Sequence, residues 1–206
     1  MFDSYKIILA SGSPRRKQLL TQAGFEFEIC ASQCEEKITS KDPQKVCMEL
    51  SLQKALDVAS MIKAYNKKHD DIASDRDLII IGADTIVSVD GDILGKPKDD
   101  EDAVSMLKKL SGKVHDVYTG VSFVFMSGDG RVGEHSFFER TGVSVYELDD
   151  EEIAAYVDSG EPLDKAGAYG IQGGFAKYIK EISGDYFNVV GLPVSRLYHE
   201  LKEILR

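Results

Sequence analysis

The sequence has few cysteines, and their arrangement excludes a disulfide scaffold. Cys30, Cys34 and Cys47 are the only three in 206 residues. Their number is odd, no Cys-x-x-Cys pair occurs, and no histidine stands at a metal-ligand spacing from them. A chain of this length with 43% hydrophobic residues can bury a core without disulfides or a structural metal. We therefore expect one domain over 1–206, in a reducing, cytoplasmic setting.

Positive charge is also scarce, which argues against a nucleic-acid or membrane binder. The chain has 25 Lys and Arg against 35 Asp and Glu, a formal net charge of -10. Nucleic acids and anionic lipid surfaces repel such a chain at long range. A polyanionic substrate would need a local basic pocket.

Long hydrophobic runs are missing as well. No stretch approaches the roughly 18 apolar residues of a membrane span. The N-terminal stretch 1–9 lacks the charged start, long apolar region and cleavage site of a signal peptide. We therefore expect a soluble protein.

What the sequence contains is an alternation of strand and helix patterns. Apolar, β-branched runs predict strands at 6–10, 25–29, 78–83, 114–126, 131–148 and 175–182, with an Asp-Gly hairpin over 87–94. Helical spacing between start and stop signals predicts helices at 14–23, 42–59, 99–110 and 149–158, and from 193 onward. The polar segment 63–77 is predicted to be a frayed helix end with a surface loop.

The order of these elements indicates the fold class. The runs 114–126 and 131–148 flank a Ser-Gly-Asp-Gly turn signal, so we expect them to pair antiparallel. Helices and strands otherwise alternate. The prediction is an α/β fold with a mixed central sheet and flanking helices.

One turn has the features of an anion site. In Ser11-Gly-Ser-Pro-Arg-Arg16 a predicted strand ends in small residues, and a helix begins at Pro14 with Ser13 as its N-cap. The free N–H groups and positive dipole end of a helix N-terminus favour anions, and Arg15 and Arg16 add two guanidinium groups. An ordinary capped helix with solvated arginines explains the same pattern, so the motif alone does not decide.

Asp84 follows the most hydrophobic short run of the chain, 78–83, and we expect it at the end of a buried strand. A carboxylate at that place in an α/β fold can hold a divalent cation or activate water. A turn-forming aspartate is the alternative. Gly82 before it and Thr85 after it suit close approach of a substrate and an additional hydroxyl contact.

Three further charged residues are candidates for the same site. Glu36, in the pair Glu35-Glu36, follows the second predicted strand, and Lys54 interrupts the apolar face of its helix. Lys96, in Gly95-Lys-Pro97, lies beyond the predicted hairpin, where a solvated lysine is the simpler explanation. A phosphate site needs anionic ligands for a metal and cationic groups for phosphate charge. Asp84 and Glu36 would supply the former, and Arg15, Arg16, Lys54 and Lys96 the latter.

Two glycine-rich segments fail to match nucleotide-binding motifs. Segment 91–97 is one residue short for a Walker A loop and has Pro97 where the magnesium-binding hydroxyl belongs. Segment 167–173 has the wrong glycine spacing for a dinucleotide fingerprint. We interpret it as a loop that approaches a ligand, with Gln172 reading a base edge and Tyr169 stacking, or as a structural turn. Four histidines show no metal spacing and are interpreted as surface or structural residues: His69, His115, His135 and His199.

Taken together, these segments resemble the Maf family of nucleotide pyrophosphatases, a family also named for septum formation. The resemblance covers nearly the whole chain in the expected order. Its motifs are Leu9-Ala-Ser-Gly-Ser-Pro-Arg-Arg16, Glu35-Glu36, Lys54-Ala55, Gly82-Ala-Asp-Thr85, Gly95-Lys-Pro97, Tyr118-Thr-Gly120, Asp164-Lys-Ala-Gly-Ala-Tyr-Gly-Ile-Gln-Gly173 and Gly184-Asp-Tyr-Phe-Asn-Val-Val-Gly-Leu-Pro193.

The resemblance implies a Maf/ITPase-like fold of two lobes around a substrate cleft, often as a homodimer. It implies hydrolysis of nucleoside triphosphates to a monophosphate and pyrophosphate with Mg²⁺ or Mn²⁺. Asp84 would be the proton acceptor or would mainly hold the metal that acidifies water, and the sequence leaves both open. The implied catalytic residues are Asp84, Lys96 and Glu36, the metal ligands Asp84 and Glu36, and the substrate-binding residues Ser11, Ser13, Arg15, Arg16, Lys54, Thr85 and Gln172.

Within the family, Thr85 together with Arg15 and Gln172 is similar to the branch that acts on dTTP and UTP. The branch acting on 7-methyl-GTP usually has Gln after the catalytic Asp. Pyrimidine triphosphates, canonical or modified, are therefore the predicted substrates. Two features depart from the family pattern: the stretch 63–77 is longer than expected, and Cys34 lies in the usually polar approach to Glu36.

Two other functions compete with this one. A nucleotide-binding regulator of cell division would use the same residues without turnover, although pure binding of a polyanion does not need Asp84 to face phosphate. A phosphatase that removes the terminal phosphate is disfavoured, because the Asp-x-Asp signature of aspartyl phosphatases is absent at Asp84-Thr-Ile86.

Overall fold

The computed structural model describes residues 2, 4–69, 77–127 and 132–206. The strands are β1 (Tyr5–Leu9), β2 (Glu28–Ile29), β3 (Asp77–Val89), β4 (Asp92–Leu94), β5 (Val114–Met126), β6 (Val132–Val145) and β7 (Ile179–Ser183). The helices are α1 (Pro14–Gln22), α2 (Pro43–His69), α3 (Asp100–Leu110), α4 (Asp150–Val157), α5 (Tyr186–Val190) and α6 (Val194–Ile204). Among the described residues, no helix is long and apolar enough to cross a membrane.

The strands form one mixed sheet in the order β2-β1-β3-β5-β6-β7, with β4 paired to β3. β1 is parallel to both β2 and β3. β4 is antiparallel to β3, and β7 is antiparallel to β6. β5 and β6 are neighbours in the sheet. Only residues 127–131 separate them in the chain. A parallel pair needs a crossover of a dozen or more residues, so β5 and β6 are antiparallel. The predicted fold class, α/β with a mixed sheet and flanking helices, is confirmed.

The chain divides into two compact units. The first contains Met1–Asp84, Gly120–Phe138 and Val194–Arg206, and the second contains Thr85–Thr119 and Glu139–Pro193. Because β3, β5 and β6 each contribute residues to both, each unit consists of discontinuous segments. One domain over 1–206 stays a prediction.

In the first unit, α2 supplies one wall of the core. Val58 and Ala59 of α2 pack with Ile8 of β1, Ile80 of β3 and Val124 of β5, all nearly or completely buried. Strands covered in this way are apolar along their length rather than alternating. Each fully buried aliphatic side chain contributes roughly 1.5–3 kcal/mol.

In the second unit, α3 and α4 cover a separate core. Leu107 and Ile153 pack with Val143 of β6 and with the buried ring of Phe175. The α4 helix begins with a capping box, in which Asp149 and Glu152 exchange side-chain and backbone hydrogen bonds. Such caps satisfy N–H groups that have no partner within the helix.

The central strand is longer than predicted, which changes the position of Asp84. β3 extends from Asp77 to Val89, so Asp84 lies within the strand and not at its end. The reason is that the residues after Asp84 are rich in β-branched types and pair with β4 from Val87 to Val89. The predicted hairpin is confirmed, and its turn uses positive φ angles at Asp90 and Gly91.

Residues 175–182 also differ from the predicted strand. Gly174–Tyr178 is a short 3₁₀ helix, and β7 starts only at Ile179. Phe175 and Tyr178 are both buried, and a spacing of three suits a 3₁₀ turn rather than the alternation of a strand. The short helix α5, capped by Asp185, was not predicted.

Three other boundaries differ. The predicted strand at 25–29 is reduced to Glu28–Ile29, and β6 ends at Val145 rather than at 148. Helix α2 continues to His69 instead of ending near 59, with Ile62 packed against the core. The rest of the predicted loop in 63–77, and most of the Ser-Gly-Asp-Gly turn, lie outside the described residues.

Two glycines allow the backbone of α2 to approach the sheet. A Cβ atom on Gly82 would overlap the carbonyl oxygen of Ser51, and one on Gly120 would overlap the carbonyl group of Cys47. In both places the obstacle is backbone, which cannot rotate away as a side chain does. Any larger residue would push α2 off β3 or β5.

We predict that Gly82→Ala lowers the free energy of unfolding by about 2 kcal/mol or more, because the new methyl group overpacks this contact. Urea unfolding followed by circular dichroism measures the change. Gly133→Ala in β6 is the matched control, since the nearest atom to its new Cβ is 3.9 Å away. Equal stability of the two variants would contradict the packing role of Gly82.

Candidate active site

Asp84 is a nearly buried carboxylate in the first unit, with 9% of its surface exposed. It accepts a hydrogen bond from the ammonium group of Lys54, which α2 carries past the strand. The side chain of Lys54 is itself only 18% exposed. A carboxylate and an ammonium group withdrawn from water are stabilised by their mutual attraction, and each would be costly to bury alone.

Glu36 brings a second carboxylate to the same cation. Its Oε1 lies 2.9 Å from Lys54 Nζ, and its side chain is 49% exposed. Glu36 belongs to the loop between β2 and α2, so the carboxylates of Glu36 and Asp84 converge from different parts of the chain. The predicted meeting of Asp84, Glu36 and Lys54 is observed.

The turn before α1 has the predicted local structure. Ser13 is the N-cap, and its hydroxyl accepts a 3.5 Å hydrogen bond from the Arg16 amide, with Pro14 in the first turn. The Arg16 guanidinium donates to Ser11 Oγ at 3.2 Å, and the Ser13 amide donates to the same oxygen at 3.3 Å. Ser11 therefore links the end of β1 to the start of α1.

Arg16 belongs to the same electrostatic cluster as the carboxylates. Burial lowers the pKa of its guanidinium, and the nearby Arg15 acts in the same direction. Asp84 and Glu36 raise that pKa. The two carboxylates therefore offset part of the cost of burying the guanidinium charge. The first unit thus presents two guanidinium groups and one ammonium group beside two carboxylates.

The donor set suits a divalent cation that arrives with its substrate. Among the described residues there is no group of three or more His, Cys, Asp or Glu side chains able to hold a metal. Asp84 and Glu36 already face one cation, the Lys54 ammonium. Mg²⁺ in phosphate sites typically uses one or two carboxylates together with phosphate oxygens and water. Two converging carboxylates fit that pattern.

Cys47 lies near Asp84 but is chemically inert. Burial raises the pKa of its thiol to about 12, and Asp84 acts in the same direction. Its thiol donates to the carbonyl oxygen of Gln44 at 3.2 Å. Because only the thiolate is a good nucleophile, Cys47 is a core residue at neutral pH.

The remaining predicted site residues belong to the second unit. Thr85 Oγ1 lies 2.9 Å from Thr119 Oγ1 and 3.4 Å from the carbonyl oxygen of Gly191. Thr85 follows Asp84 in β3, and successive residues of a strand point to opposite faces. Lys96 and Gln172 are both exposed, in loops after β4 and after Tyr169. Their contact with a nucleotide stays a prediction.

Tyr169 does not have the predicted character of a stacking residue. It is 6% exposed and packs against Phe175, with ring centroids 4.9 Å apart. Its hydroxyl lies 2.7 Å from His115 Nε2. The alternative interpretation, a structural turn, fits Tyr169 because the ring lies in the core of the second unit. His115 is likewise structural, as predicted for the histidines.

Comparison with known proteins identifies the relatives of this chain. The family model described as Maf-like protein matches residues 6–204. A dTTP/UTP pyrophosphatase of Agathobacter rectalis is 58% identical, over 97% of both chains. Proteins of the same description are 48% identical in Lachnoclostridium phytofermentans, over 97% of this chain and 95% of the relative, and 51% identical in Bacillus cereus, over 96% and 95%.

A solved nucleoside-triphosphatase, described as a dITP/XTP pyrophosphatase of Mycobacterium abscessus, covers 96% of this chain and 93% of its own. Its identity is 12% and its TM-score 0.35, a likeness too low to support any conclusion.

The fold and the charged cluster define an α/β protein with a polar site of mixed charge on α1, α2 and β3. The family match over residues 6–204 makes the assignment specific. The chain belongs to the Maf family.

We predict that His115 makes the fold sensitive to acid. Burial lowers the pKa of His115 from 6.5 to about 4, while Asp116 acts in the opposite direction. Between these values the unfolded chain binds a proton that the folded chain does not, so stability falls as the pH drops from about 6.5 towards 4. In His115→Gln this fall should be smaller by up to about 3 kcal/mol.

Urea unfolding at several pH values measures this dependence. Tyr169→Phe is the control, because it removes the partner hydroxyl but keeps the imidazole and should retain the acid sensitivity. A His115→Gln variant as acid-sensitive as the unaltered chain would show that other groups cause it.

Proposed function

We propose that this chain is a nucleoside triphosphate pyrophosphatase that hydrolyses dTTP and UTP, and modified pyrimidine nucleotides, to the monophosphate and pyrophosphate. The convergence of Asp84, Glu36 and Lys54 beside Arg16 is the observation that carries the proposal. Family membership and three relatives described as dTTP/UTP pyrophosphatases, at 48–58% identity, support the same reaction.

In this proposal the cationic groups bind the triphosphate. The guanidinium groups of Arg15 and Arg16 and the positive dipole end of α1 attract phosphate oxygens. Lys54 neutralises further charge close to Asp84. Such preorganised groups stabilise the negative charge that shifts onto the departing pyrophosphate.

Asp84 is proposed as the proton acceptor. A water molecule attacks a phosphorus atom of the α–β anhydride and transfers its proton to the Asp84 carboxylate. The bond from that phosphorus to the bridging oxygen breaks, and the oxygen leaves with the bonding electrons. The hydrogen bond from Lys54 fixes the position of the Asp84 carboxylate, which supports this role because a proton acceptor must be held at the reacting water.

A divalent cation, Mg²⁺ or Mn²⁺, belongs to the proposal. When bound it would neutralise phosphate charge and acidify water. Asp84 and Glu36 would hold it, and Lys54 would then turn its ammonium group towards phosphate. A homodimer and a cytoplasmic location complete the proposal, on the resemblance to the family and on the free cysteines.

Base selection is assigned to the second unit. Gln172 is exposed and carries the amide that a base edge requires, and Lys96 is an exposed cation on its loop. Thr85 would act through the shape of the region around Thr119 and Gly191, since its hydroxyl contacts both.

A product assay is the first test of the reaction. We expect dTTP and UTP with Mg²⁺ to give monophosphate and pyrophosphate, and purine triphosphates to react more slowly. Chromatographic separation distinguishes these products from diphosphate and orthophosphate. No turnover of any triphosphate, together with nucleotide binding, would favour the regulator of cell division instead.

Replacing Asp84 tests the mechanism. We predict that Asp84→Asn lowers kcat by roughly 10²–10⁴-fold, because the amide cannot accept the proton, while the fold is kept. Steady-state kinetics and circular dichroism measure the two effects. Asp92→Asn is the matched control, since Asp92 forms an exposed ion pair with Lys109. Normal turnover in purified Asp84→Asn would refute the assignment.

A further inference from the structure

Three polar residues of α2 hold the loop that carries Glu36. Glu49, Gln53 and Asp57 are spaced four residues apart, so they lie in one row on the helix surface. Their partners lie in the loop between β2 and α2. We call these three residues the α2 clasp. The partners occur in reverse order, from Ser32 opposite Asp57 to Thr39 opposite Glu49.

Asp57 fixes the beginning of the loop. One carboxylate oxygen, Oδ2, accepts hydrogen bonds from Ser32 Oγ at 2.8 Å, from the Gln33 amide at 2.8 Å and from the Cys34 amide at 3.2 Å. The Gln33 amide and then the Ser32 hydroxyl lower the pKa of Asp57. The ionised carboxylate is therefore the form that the loop binds.

Gln53 fixes the middle of the loop in the way a neighbouring strand would. Its Oε1 accepts from the Lys37 amide at 2.9 Å, and its Nε2 donates to the Lys37 carbonyl oxygen at 2.6 Å. Thr39 is held in turn by Glu49, through its amide at 3.1 Å and its hydroxyl at 2.6 Å. Backbone groups that lack a regular partner thereby gain one.

Glu36 stands between the residues fixed by Asp57 and by Gln53. Apolar packing does little to hold Glu36 in place, because residues 35–39 are exposed and Ile38 is 59% exposed. The next residue of α2 after Gln53 is Lys54, which Glu36 contacts at 2.9 Å. The hydrogen bonds of the α2 clasp therefore determine where the Glu36 carboxylate lies relative to Asp84.

We propose that Gln53, with Glu49 and Asp57, is a positioning residue that holds Glu36 where it and Asp84 can share a divalent cation. This inference rests on the proposed function, in which the two carboxylates hold the cation that accompanies the nucleotide. Both polar atoms of the Gln53 side chain bond the backbone of Lys37, so in this proposal Gln53 acts through Glu36. The apolar side of α2, with Val46, Leu50 and Val58 buried, should keep the helix in place when the clasp is altered.

The test uses the full chain and compares Gln53→Ala with Gln44→Ala. Gln44 is an exposed glutamine in the first turn of the same helix, so the control removes the same side chain without touching the loop of Glu36. Hydrogen exchange measures protection of the Lys37 amide. Electron paramagnetic resonance measures binding of Mn²⁺ in the presence of α,β-methylene-dTTP, which cannot be cleaved at the scissile bond.

We expect Gln53→Ala to remove protection at Lys37 and to weaken Mn²⁺ binding about tenfold, the effect typical of residues that orient a metal ligand. Gln44→Ala should change neither. The melting temperatures of both variants should stay close to that of the unaltered chain.

A double-mutant cycle separates positioning from general loosening. If Gln53 acts through Glu36, then Gln53→Ala should have almost no further effect on Mn²⁺ binding in a Glu36→Gln background. An undiminished effect in that background, or unchanged Mn²⁺ binding in Gln53→Ala, would overturn the proposal. So would the absence of Mn²⁺ binding by the unaltered chain.

These readouts do not require turnover, so the two proposals can fail separately. A chain that binds Mn²⁺ with the expected coupling but hydrolyses no triphosphate would refute the proposed function and leave the α2 clasp intact. A chain that releases pyrophosphate but shows no coupling between Gln53 and Glu36 would do the reverse.

Discussion

The close approach of α2 to the sheet is the constraint on which the charged cluster depends. Gly82 and Gly120 leave room for the helix backbone at places where any side chain would overlap it. Because the helix lies so close to β3, the ammonium group of Lys54 reaches the carboxylate of Asp84. At a larger separation, Asp84 would be buried without its counter-ion, which is costly. The packing of the core and the pairing of charges therefore have the same cause.

The cluster also explains how an acidic chain can attract a polyanion. The formal net charge is -10, yet the turn before α1 and the middle of α2 bring Arg15, Arg16 and Lys54 together. The carboxylates of Asp84 and Glu36 lie beside these cationic groups. Partly buried charges interact strongly over short distances, whereas the net charge acts through solvent and is screened. The local arrangement of these charges therefore outweighs the net charge of the chain.

Local chemistry made part of this site predictable from the sequence. Ser13 and Pro14 favour the start of a helix after a strand, since the hydroxyl accepts from a backbone amide and proline already has a helical φ. The apolar run before Asp84 predicted a buried strand, and Asp90-Gly91 predicted the turn that follows it. The role of Tyr169 was not predictable from local chemistry, because an aromatic residue in a glycine-rich loop can either stack on a ligand or pack in a core. The row of Glu49, Gln53 and Asp57 was visible as a spacing of four, but an exposed helix face has the same spacing.

The sequence by itself determined the class of fold, the start of α1 and the hairpin after β3. These features depend on backbone conformation and on periodicity within a few residues. Only the tertiary structure decided that Asp84 lies within its strand, that Phe175 and Tyr178 form a 3₁₀ turn, that Tyr169 belongs to a core, and that α2 holds the loop of Glu36. Each of these depends on which distant segment covers or hydrogen-bonds the residue, and that is set by packing across the whole chain rather than by local preference.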